Sequence, residues 1–284
     1  MKIFSVIDEM RGASRAAHRS GRRVGLVPTM GALHEGHLSL VRAARANCDV
    51  VAVSIFVNPA QFGPTEDLAE YPRSFERDSK LLDAEGVDLL FSPSVGEMYS
   101  PGGWTWVTVE ELGGKLDGRS RPGHFRGVTT VVAKLLHIVE PEVAFFGQKD
   151  AAQVAIIRRM VRDLNFPVEI AVCPIVREPD GLALSSRNIY LNHEQRKQAL
   201  VLHRSLLRVK ELADQGERNS LRLVEAGRAE FAHDSAVRLD YFEIVDSNTL
   251  DPIEDVRSGA LVAVAAFVGT TRLIDNLLLA KTVR

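Results

Sequence analysis

The sequence holds only two cysteines, Cys48 and Cys173, among 284 residues. Neither belongs to a C-x-x-C pair, and two cysteines cannot build the disulfide framework of a small secreted domain. The first residues also lack the sustained apolar stretch that a signal peptide needs. We therefore expect a reduced, cytoplasmic environment for this chain.

The sequence also lacks long apolar runs and a large excess of charge of one sign. No stretch of about 18 apolar residues occurs, so we expect no membrane-spanning helix. The formal net charge is −2, which argues against a generally basic surface for nucleic acid but is compatible with a local basic pocket for a small anion. Hydrophobic residues make up 45% and charged residues 25%, as in globular proteins with a substantial core.

The first part of the chain alternates short apolar, β-branched runs with segments of helical periodicity. We predict strands at residues 23–29, 49–57, 87–91, 142–147 and 168–176, and helices at 36–48, 73–85, 128–140 and 154–164. Alternation of this kind is typical of βαβ crossovers, which produce a parallel sheet with helices on both faces. The fold class is therefore α/β, with a Rossmann-like domain.

The pattern changes after residue 176. Two polar helices are predicted at 193–215 and 221–233, and two strands at 239–246 and 260–269. We divide the chain into a Rossmann-like domain, 1–176, and a smaller α+β domain, 177–284. Within the first domain, 104–109 is predicted as a strand and 118–127, with its glycines and proline, as a loop.

The stretch PTMGALHEGHLSL follows the first long strand and opens a helix. Its histidines, His34 and His37, are three residues apart and should project from one side of the turn. A helix N-terminus offers backbone N–H groups and partial positive charge to an anion, and glycines let that backbone approach a phosphate closely. The stretch is therefore a candidate phosphate site.

Four other interpretations of this stretch exist, and three of them can be compared by spacing. A zinc site of the H-E-x-x-H type needs histidines four residues apart, whereas these are three apart, which argues against it. A P-loop needs Lys and Ser or Thr where this chain has His37 and Leu38, and the G-x-G-x-x-G dinucleotide pattern is absent. A plain tight turn with surface histidines stays open on this stretch alone.

Two further strand ends carry residues suited to phosphate or carboxylate. FFGQKDAAQ presents Lys149, a candidate phosphate cation, and Asp150, which could help to place Mg²⁺. VNPAQF presents the neutral donors Asn58 and Gln61. Because the carboxyl ends of parallel strands meet at one edge of a sheet, the coincidence of several such ends favours a ligand site over plain turns.

Six blocks in this order resemble a known family: PTMGALHEGH, SIFVNPAQF, YPR, RPGHFRGV, FFGQKD and LSSRN. Together they resemble the pantothenate synthetase (pantoate–β-alanine ligase) family, within the HxGH nucleotidyltransferase superfamily. The resemblance implies an AMP-forming ligase that condenses (R)-pantoate with β-alanine through a pantoyl adenylate, with ATP as substrate and Mg²⁺ as cofactor. It also implies a homodimer, and the net charge and the lack of a long apolar run lead us to expect neither nucleic acid nor membrane as partner.

The resemblance assigns roles to individual residues. The implied catalytic residues are His37, as the acid, His34 and Lys149. The implied ATP-binding residues are Met30, Gly31, Ala32, Leu33, His34, Glu35, Gly36, His37, Gly147, Gln148, Lys149, Asp150, Val176, Leu184, Ser185, Ser186 and Arg187. Gln61 and Gln153 would hold pantoate, with Gln61 also near β-alanine, and Asp78 would be a metal ligand. Asn58 and Asp150, singled out above from the residues themselves, complete the candidate substrate-binding and metal-binding sets.

Attack of a carboxylate on the α-phosphate requires positioning and neutralisation of negative charge, which imidazoles, a lysine and a helix N-terminus supply. An acyl adenylate hydrolyses in open water, so we expect a closing loop at 185–187 and a second gate at 63–65. His124 is equally compatible with loop support and with a substrate contact. Two alternative functions remain: a nucleotidyltransferase that leaves the nucleotide on its product, and a non-catalytic nucleotide-binding module.

Overall fold

The computed structural model describes residues 1–64, 66–103, 105–233 and 236–281. The chain packs as two compact units. The first comprises Met1–Gly114, Arg121–Gly147 and Ile156–Pro174, and the second comprises Lys115–Ser120, Gln148–Ala155 and Ile175–Arg284. Nothing in the sequence pattern indicates that the two short segments, 115–120 and 148–155, pack with the C-terminal part of the chain.

The first unit is built on a six-stranded parallel sheet, which confirms the predicted Rossmann-like architecture. Its strands are β1 (Lys2–Phe4), β2 (Val24–Thr29), β3 (Val50–Ile55), β4 (Leu89–Phe91), β5 (Val143–Gly147) and β6 (Glu169–Cys173). They lie in the order β1-β4-β3-β2-β5-β6, and every neighbouring pair runs parallel. All residues of β3 are buried, as expected for a strand covered on both faces.

The helices of this part of the chain connect the strands as crossovers. They are α1 (Ile7–Arg19), α2 (Glu35–Asn47), α3 (Phe75–Ala84), α4 (Val95–Met98), α5 (Asp117–Ser120), α6 (His124–Val139) and α7 (Ala151–Asp163). The predicted helices correspond to α2, α3, α6 and α7. Two elements near the N-terminus were not predicted: β1 is only three residues long, and α1 buries Met10, Ser14 and Ala17, a face with little apolar signal.

Two local predictions in the first domain were wrong. Most of the predicted loop 118–127 is helical: its first residues belong to α5, Asp117–Ser120, and α6 begins at His124, directly after Gly123 at φ 85°. The part of 104–109 that the structure describes is not a strand, and Trp104 lies outside the described residues. Val107 is instead attached to α6, where its backbone N–H donates to the Thr130 hydroxyl at 3.0 Å.

The C-terminal part of the second unit contains α8 (His193–Asp214), α9 (Ser220–Ala229), β7 (Val237–Val245), β8 (Ala260–Val268) and β9 (Thr271–Leu279). The three strands form an antiparallel sheet in the order β7-β8-β9. The sequence did not predict β9, because its buried positions include Asp275 and Asn276 and so interrupt the apolar alternation. Among the described residues, none of the helices combines the length and apolar character needed to cross a membrane.

Candidate active site

The position of β2 in the sheet favours its carboxyl end as a ligand site. β2 pairs with β3 on one side and with β5 on the other, so the strand order reverses between β2 and β5. Ligands of open parallel sheets bind beyond the carboxyl ends of the strands at such a reversal. The His34–His37 turn follows β2, and Gly147 is the last residue of β5.

The two histidines form a reciprocal cap on α2. Nδ1 of His34 accepts from the Gly36 N–H at 3.2 Å, and Nδ1 of His37 accepts from the His34 N–H at 3.3 Å. Their ring centroids are 4.1 Å apart. The backbone N–H groups of His34 and Gly36, which the turn was expected to offer to an anion, therefore donate to these rings instead. Since Nδ1 is an acceptor in both neutral rings, Nε2 carries the proton and can donate to an anion.

Asp78 fixes the loop that precedes this cap. The carboxylate is 1% exposed, and its oxygens accept from the backbone N–H groups of Ala32 at 2.7 Å and Leu33 at 3.0 Å. Gly31 and Ala32 have φ of 80° and 52°. Arg77 donates to the Leu33 carbonyl at 3.0 Å. Asp78, predicted as a possible metal ligand, thus uses both carboxylate oxygens to hold the loop.

Gln61 and Asn58 lie together in the turn after β3. Asn58 is 1% exposed, and its Nδ2 donates to Oε1 of Gln61 and to the Gly127 carbonyl, both at 3.1 Å. Nε2 of Gln61 donates to the sulfur of Met30 at 2.9 Å. The structure therefore brings together three of the predicted residues. Asn58 is itself buried, and it contacts Gln61 as a hydrogen-bond donor.

Arg121, His124 and Glu66 surround the backbone of Gln61. Nδ1 of His124 lies 2.8 Å from the Gln61 carbonyl oxygen, and Arg121 donates to that oxygen at 3.3 Å. Arg121 also forms a two-bond ion pair with Glu66. Burial raises the pKa of the Glu66 carboxyl, but the Arg121 guanidinium and a hydrogen bond from the Gly63 backbone lower it, and the net pKa is lowered. For His124, this contact supports the loop-support alternative. Glu66 carried no signal in the sequence.

Lys149 and its neighbours belong to the second unit. Gln148, Lys149 and Asp150 form a short 3₁₀ turn, and Lys149 Nζ is 3.8 Å from Asp150 Oδ1. Asn276 of β9 holds this turn, because its Nδ2 donates to the carbonyls of Gln148 and Lys149, both at 2.9 Å. Gln153 follows in α7. No sequence pattern indicated a role for Asn276, which is distant along the chain.

The predicted closing loop also lies in the second unit. The residue just before it is tied down, since the Leu184 N–H donates to the Val176 carbonyl at 3.0 Å. Ser185 accepts from the Arg187 N–H at 3.3 Å and caps a 3₁₀ helix, Ser186–Tyr190. Val176 is followed by Arg177, which pairs with the buried Asp275 through two hydrogen bonds of 2.6 and 2.9 Å. Of the second predicted gate, Thr65 lies outside the described residues.

The predicted site residues are thus divided between the two units. The first unit holds Met30, Gly31, Ala32, Leu33, His34, Glu35, Gly36, His37, Asn58, Gln61, Asp78 and Gly147, and the second holds Gln148, Lys149, Asp150, Gln153, Val176, Leu184, Ser185, Ser186 and Arg187. Within the described ranges, no group of three or more His, Cys, Asp or Glu side chains is placed to hold a metal ion.

The family model for pantoate-beta-alanine ligase matches residues 2–278. The chain belongs to this family. The resemblance drawn from the six sequence blocks is therefore confirmed, and the chain is an enzyme of the pantoate–β-alanine ligase class. It is 63% identical to the pantothenate synthetase of Koribacter versatilis, over 98% of this chain and 96% of that protein. It is 57% identical to that of Thermotoga neapolitana, over 98% of this chain and all (100%) of that protein.

Solved structures of this ligase family match the whole fold. Pantothenate synthetase from Thermus thermophilus is 50% identical, with a TM-score of 0.93 over 98% of this chain and 99% of that one. The pantoate-beta-alanine ligase from Francisella tularensis is 35% identical, with a TM-score of 0.78 over 98% of this chain and 97% of that one, and was solved in complex with beta-gamma ATP and beta-alanine.

Proposed function

We propose that this ligase uses ATP to condense (R)-pantoate with β-alanine in two steps. The pantoate carboxylate attacks the α-phosphorus of ATP, which forms pantoyl adenylate and releases pyrophosphate. The amine of β-alanine then attacks the acyl carbon, the bond to AMP breaks, and the amine loses a proton as pantothenate forms. The observation that carries this proposal is the His34–His37 cap at the strand-order reversal of a chain that matches the ligase family almost from end to end.

In this proposal the protein positions the reactants and neutralises charge, and it forms no covalent bond itself. His34 and His37 donate through Nε2 to phosphate oxygens, and His37 acts as the acid. Lys149 contributes a cation to the phosphates. Gln61 and Gln153 hold pantoate, with Gln61 also near β-alanine, and Asn58 supports Gln61.

The remaining ATP contacts come from the backbone and from the loops. Residues 30–37 and 147–150 line the nucleotide, and Val176 with the 184–187 loop covers it. Because an acyl adenylate is lost to water when exposed, closure by this loop protects the intermediate.

Of the two predicted Mg²⁺ ligands, Asp150 fits the ion better. Mg²⁺ is commonly held by one or two carboxylates together with substrate phosphates. The Asp150 side chain is 47% exposed, whereas Asp78 is buried with both oxygens hydrogen-bonded to backbone. We assign the ion to Asp150 and the phosphates of ATP, where it would offset phosphate charge. A homodimer and a cytoplasmic location complete the proposal.

A substrate-omission assay tests this function. The complete mixture of ATP, pantoate and β-alanine should release AMP and pantothenate, and omission of either pantoate or β-alanine should abolish sustained AMP release. ATP turnover that is indifferent to β-alanine would contradict the proposal. A product that retains the nucleotide would instead indicate a nucleotidyltransferase, and ATP binding without pyrophosphate release would indicate a binding module.

A further inference from the structure

Tyr99 has no part in the reaction described so far, but its hydroxyl begins a chain of hydrogen bonds that ends at Gln61. The Tyr99 hydroxyl donates to Oδ1 of Asn58 at 2.9 Å. Asn58 in turn donates from Nδ2 to Oε1 of Gln61 at 3.1 Å. Burial raises the pKa of Tyr99 to about 12, so the hydroxyl keeps its proton at neutral pH.

The orientation of the Asn58 amide follows from its partners. Oδ1 faces the Ala60 N–H at 3.2 Å, a group that can only donate. Nδ2 faces the Gly127 carbonyl at 3.1 Å, a group that can only accept. A flipped amide would place like groups against each other at both ends of a side chain that is 1% exposed.

This orientation determines that of Gln61. Because Nδ2 of Asn58 is a donor, the atom of Gln61 that faces it must be the acceptor Oε1. The NH₂ group of Gln61 then lies on the opposite side, where it donates to the Met30 sulfur at 2.9 Å. Sulfur is a weak acceptor, so a carboxylate or hydroxyl oxygen can replace it at little cost.

We infer that Tyr99 is a positioning residue: its hydroxyl restrains the Asn58 side chain, whose polarity the backbone of Ala60 and Gly127 sets. Asn58, held in this way, presents Gln61 as a hydrogen-bond donor toward an acceptor oxygen of the hydroxy acid. The inference rests on the proposed function, in which Gln61 holds pantoate. It adds that Gln61 selects an oxygen with a lone pair, such as a carboxylate oxygen, and discriminates against a ligand that offers only a donor at that point.

Tyr99→Phe tests the first part of this inference. Loss of one hydrogen bond should raise the KM for pantoate roughly 3- to 10-fold. The KM for ATP should change less than about twofold, and the thermal unfolding midpoint should stay within about 3 °C of the parent. Trp106→Phe is the matched control, since Trp106 stacks on Tyr99 with centroids 6.3 Å apart but is outside the hydrogen-bond chain. An unchanged pantoate KM in Tyr99→Phe, or an equal rise in Trp106→Phe, would overturn the inference.

A second pair of variants tests the polarity of Gln61 and does not depend on whether Tyr99→Phe folds. Gln61→Glu keeps the length and planar end of the side chain but offers only acceptors, and Gln61→Met offers no donor either. Both should raise the KM for pantoate by roughly 10- to 100-fold, with Glu at least as poor as Met. If Gln61→Glu kept the parental KM for pantoate and Gln61→Met did not, Gln61 would act as an acceptor, and the inferred polarity would be refuted. A parent enzyme that releases no AMP with pantoate would refute the proposed function instead.

Discussion

Oδ2 of Asp78 accepts a hydrogen bond of 2.7 Å from the backbone nitrogen of Ala32, a residue held at φ 52°. A left-handed conformation costs an L-residue about 1–2 kcal/mol. Each member of the pair requires the other, because the backbone amides offset the cost of burying the carboxylate, and the carboxylate holds the backbone in its unfavourable conformation. The loop that leads to His34 and His37 is thus positioned by a residue on α3.

Loss of the Asp78 carboxylate should therefore impair ATP use. We expect Asp78→Ala to lower the free energy of unfolding by about 2–4 kcal/mol and to raise the KM for ATP about 10-fold or more, because two buried N–H groups lose a charged acceptor. Asp78→Asn should be impaired as well, since its NH₂ group would face a backbone N–H. Denaturant unfolding and initial rates over a range of ATP concentrations measure the two effects.

Asp83→Ala provides the control for Asp78, because Asp83 lies on the same helix with its side chain 65% exposed and pairs with the N-terminal amine at the surface. It should leave the KM for ATP unchanged. If excess Mg²⁺ restored ATP use to Asp78→Ala, Asp78 would be a metal ligand and our assignment of its role would be wrong.

The roles of the two ring nitrogens of His34, the capping Nδ1 and the proposed donor Nε2, can be tested separately. His34→Asn keeps an excellent helix cap but loses the Nε2 donor, whereas His34→Ala loses both. We expect the Asn variant to match the parent in stability and the Ala variant to lose about 1 kcal/mol. Both should lose on the order of 100-fold in adenylate formation, measured as pantoate-dependent pyrophosphate release. Full activity in the stable Asn variant would show that His34 serves only as a cap.

Lys149 supplies a positive charge to the proposed phosphate site. Lys149→Ala should reduce pantoate-dependent pyrophosphate release by roughly 100- to 1000-fold, since one electrostatic donor to the transition state is lost. Lys197→Ala removes a surface lysine that pairs with Glu194 at 3.1 Å and should have no effect. Circular dichroism would verify that both variants fold. Equal activity of the two variants would remove Lys149 from the mechanism.

Gly127 allows α6 to approach the turn that carries Gln61. A Cβ atom at this position would lie 2.2 Å from the Ala60 carbonyl oxygen and 2.6 Å from the Gln61 Cα. Gly127→Ala should therefore destabilise the protein by about 1–3 kcal/mol and displace Gln61, which raises the KM for pantoate. Gly12→Ala, in α1 with open space around it, should instead add about 0.5–1 kcal/mol of stability in thermal unfolding. Parental stability and pantoate KM in Gly127→Ala would contradict this account.

His203 should make the protein less stable in acid. Burial, and then the positive charge of Arg177, lower the pKa of His203 below 6.5, while the carboxylate of Asp275 acts in the opposite direction. The unfolded chain therefore binds the proton more readily than the folded one, and stability falls as the pH drops below about 6.5. His203→Asn should lose less stability than the parent between pH 7 and pH 5, as measured by urea unfolding. Identical pH profiles for this variant and the parent would refute the effect.

The candidate site was proposed from local sequence, but the hydrogen-bond partners of its particular atoms could not be predicted in that way. The spacing of His34 and His37 predicted two neighbouring imidazoles at a helix start, yet their Nδ1 atoms bind backbone that was expected to face the ligand. Asn58 was predicted as a substrate contact, and only its burial between Tyr99 and Gly127 shows that it orients Gln61. Such pairings join residues far apart in sequence and leave no periodic signal.

The sequence by itself determined the alternation of strands and helices, and hence the parallel sheet, because the periods of apolar residues are local properties of the chain. It also determined the chemical blocks by which the family can be recognised. Tertiary structure decided that residues 115–120 and 148–155 pack with the C-terminal unit, and that Asp78 holds a loop 46 residues away from it along the chain. The physical reason is that buried hydrogen bonds are made with whichever groups the packed core brings near, and that choice is not encoded in any single stretch.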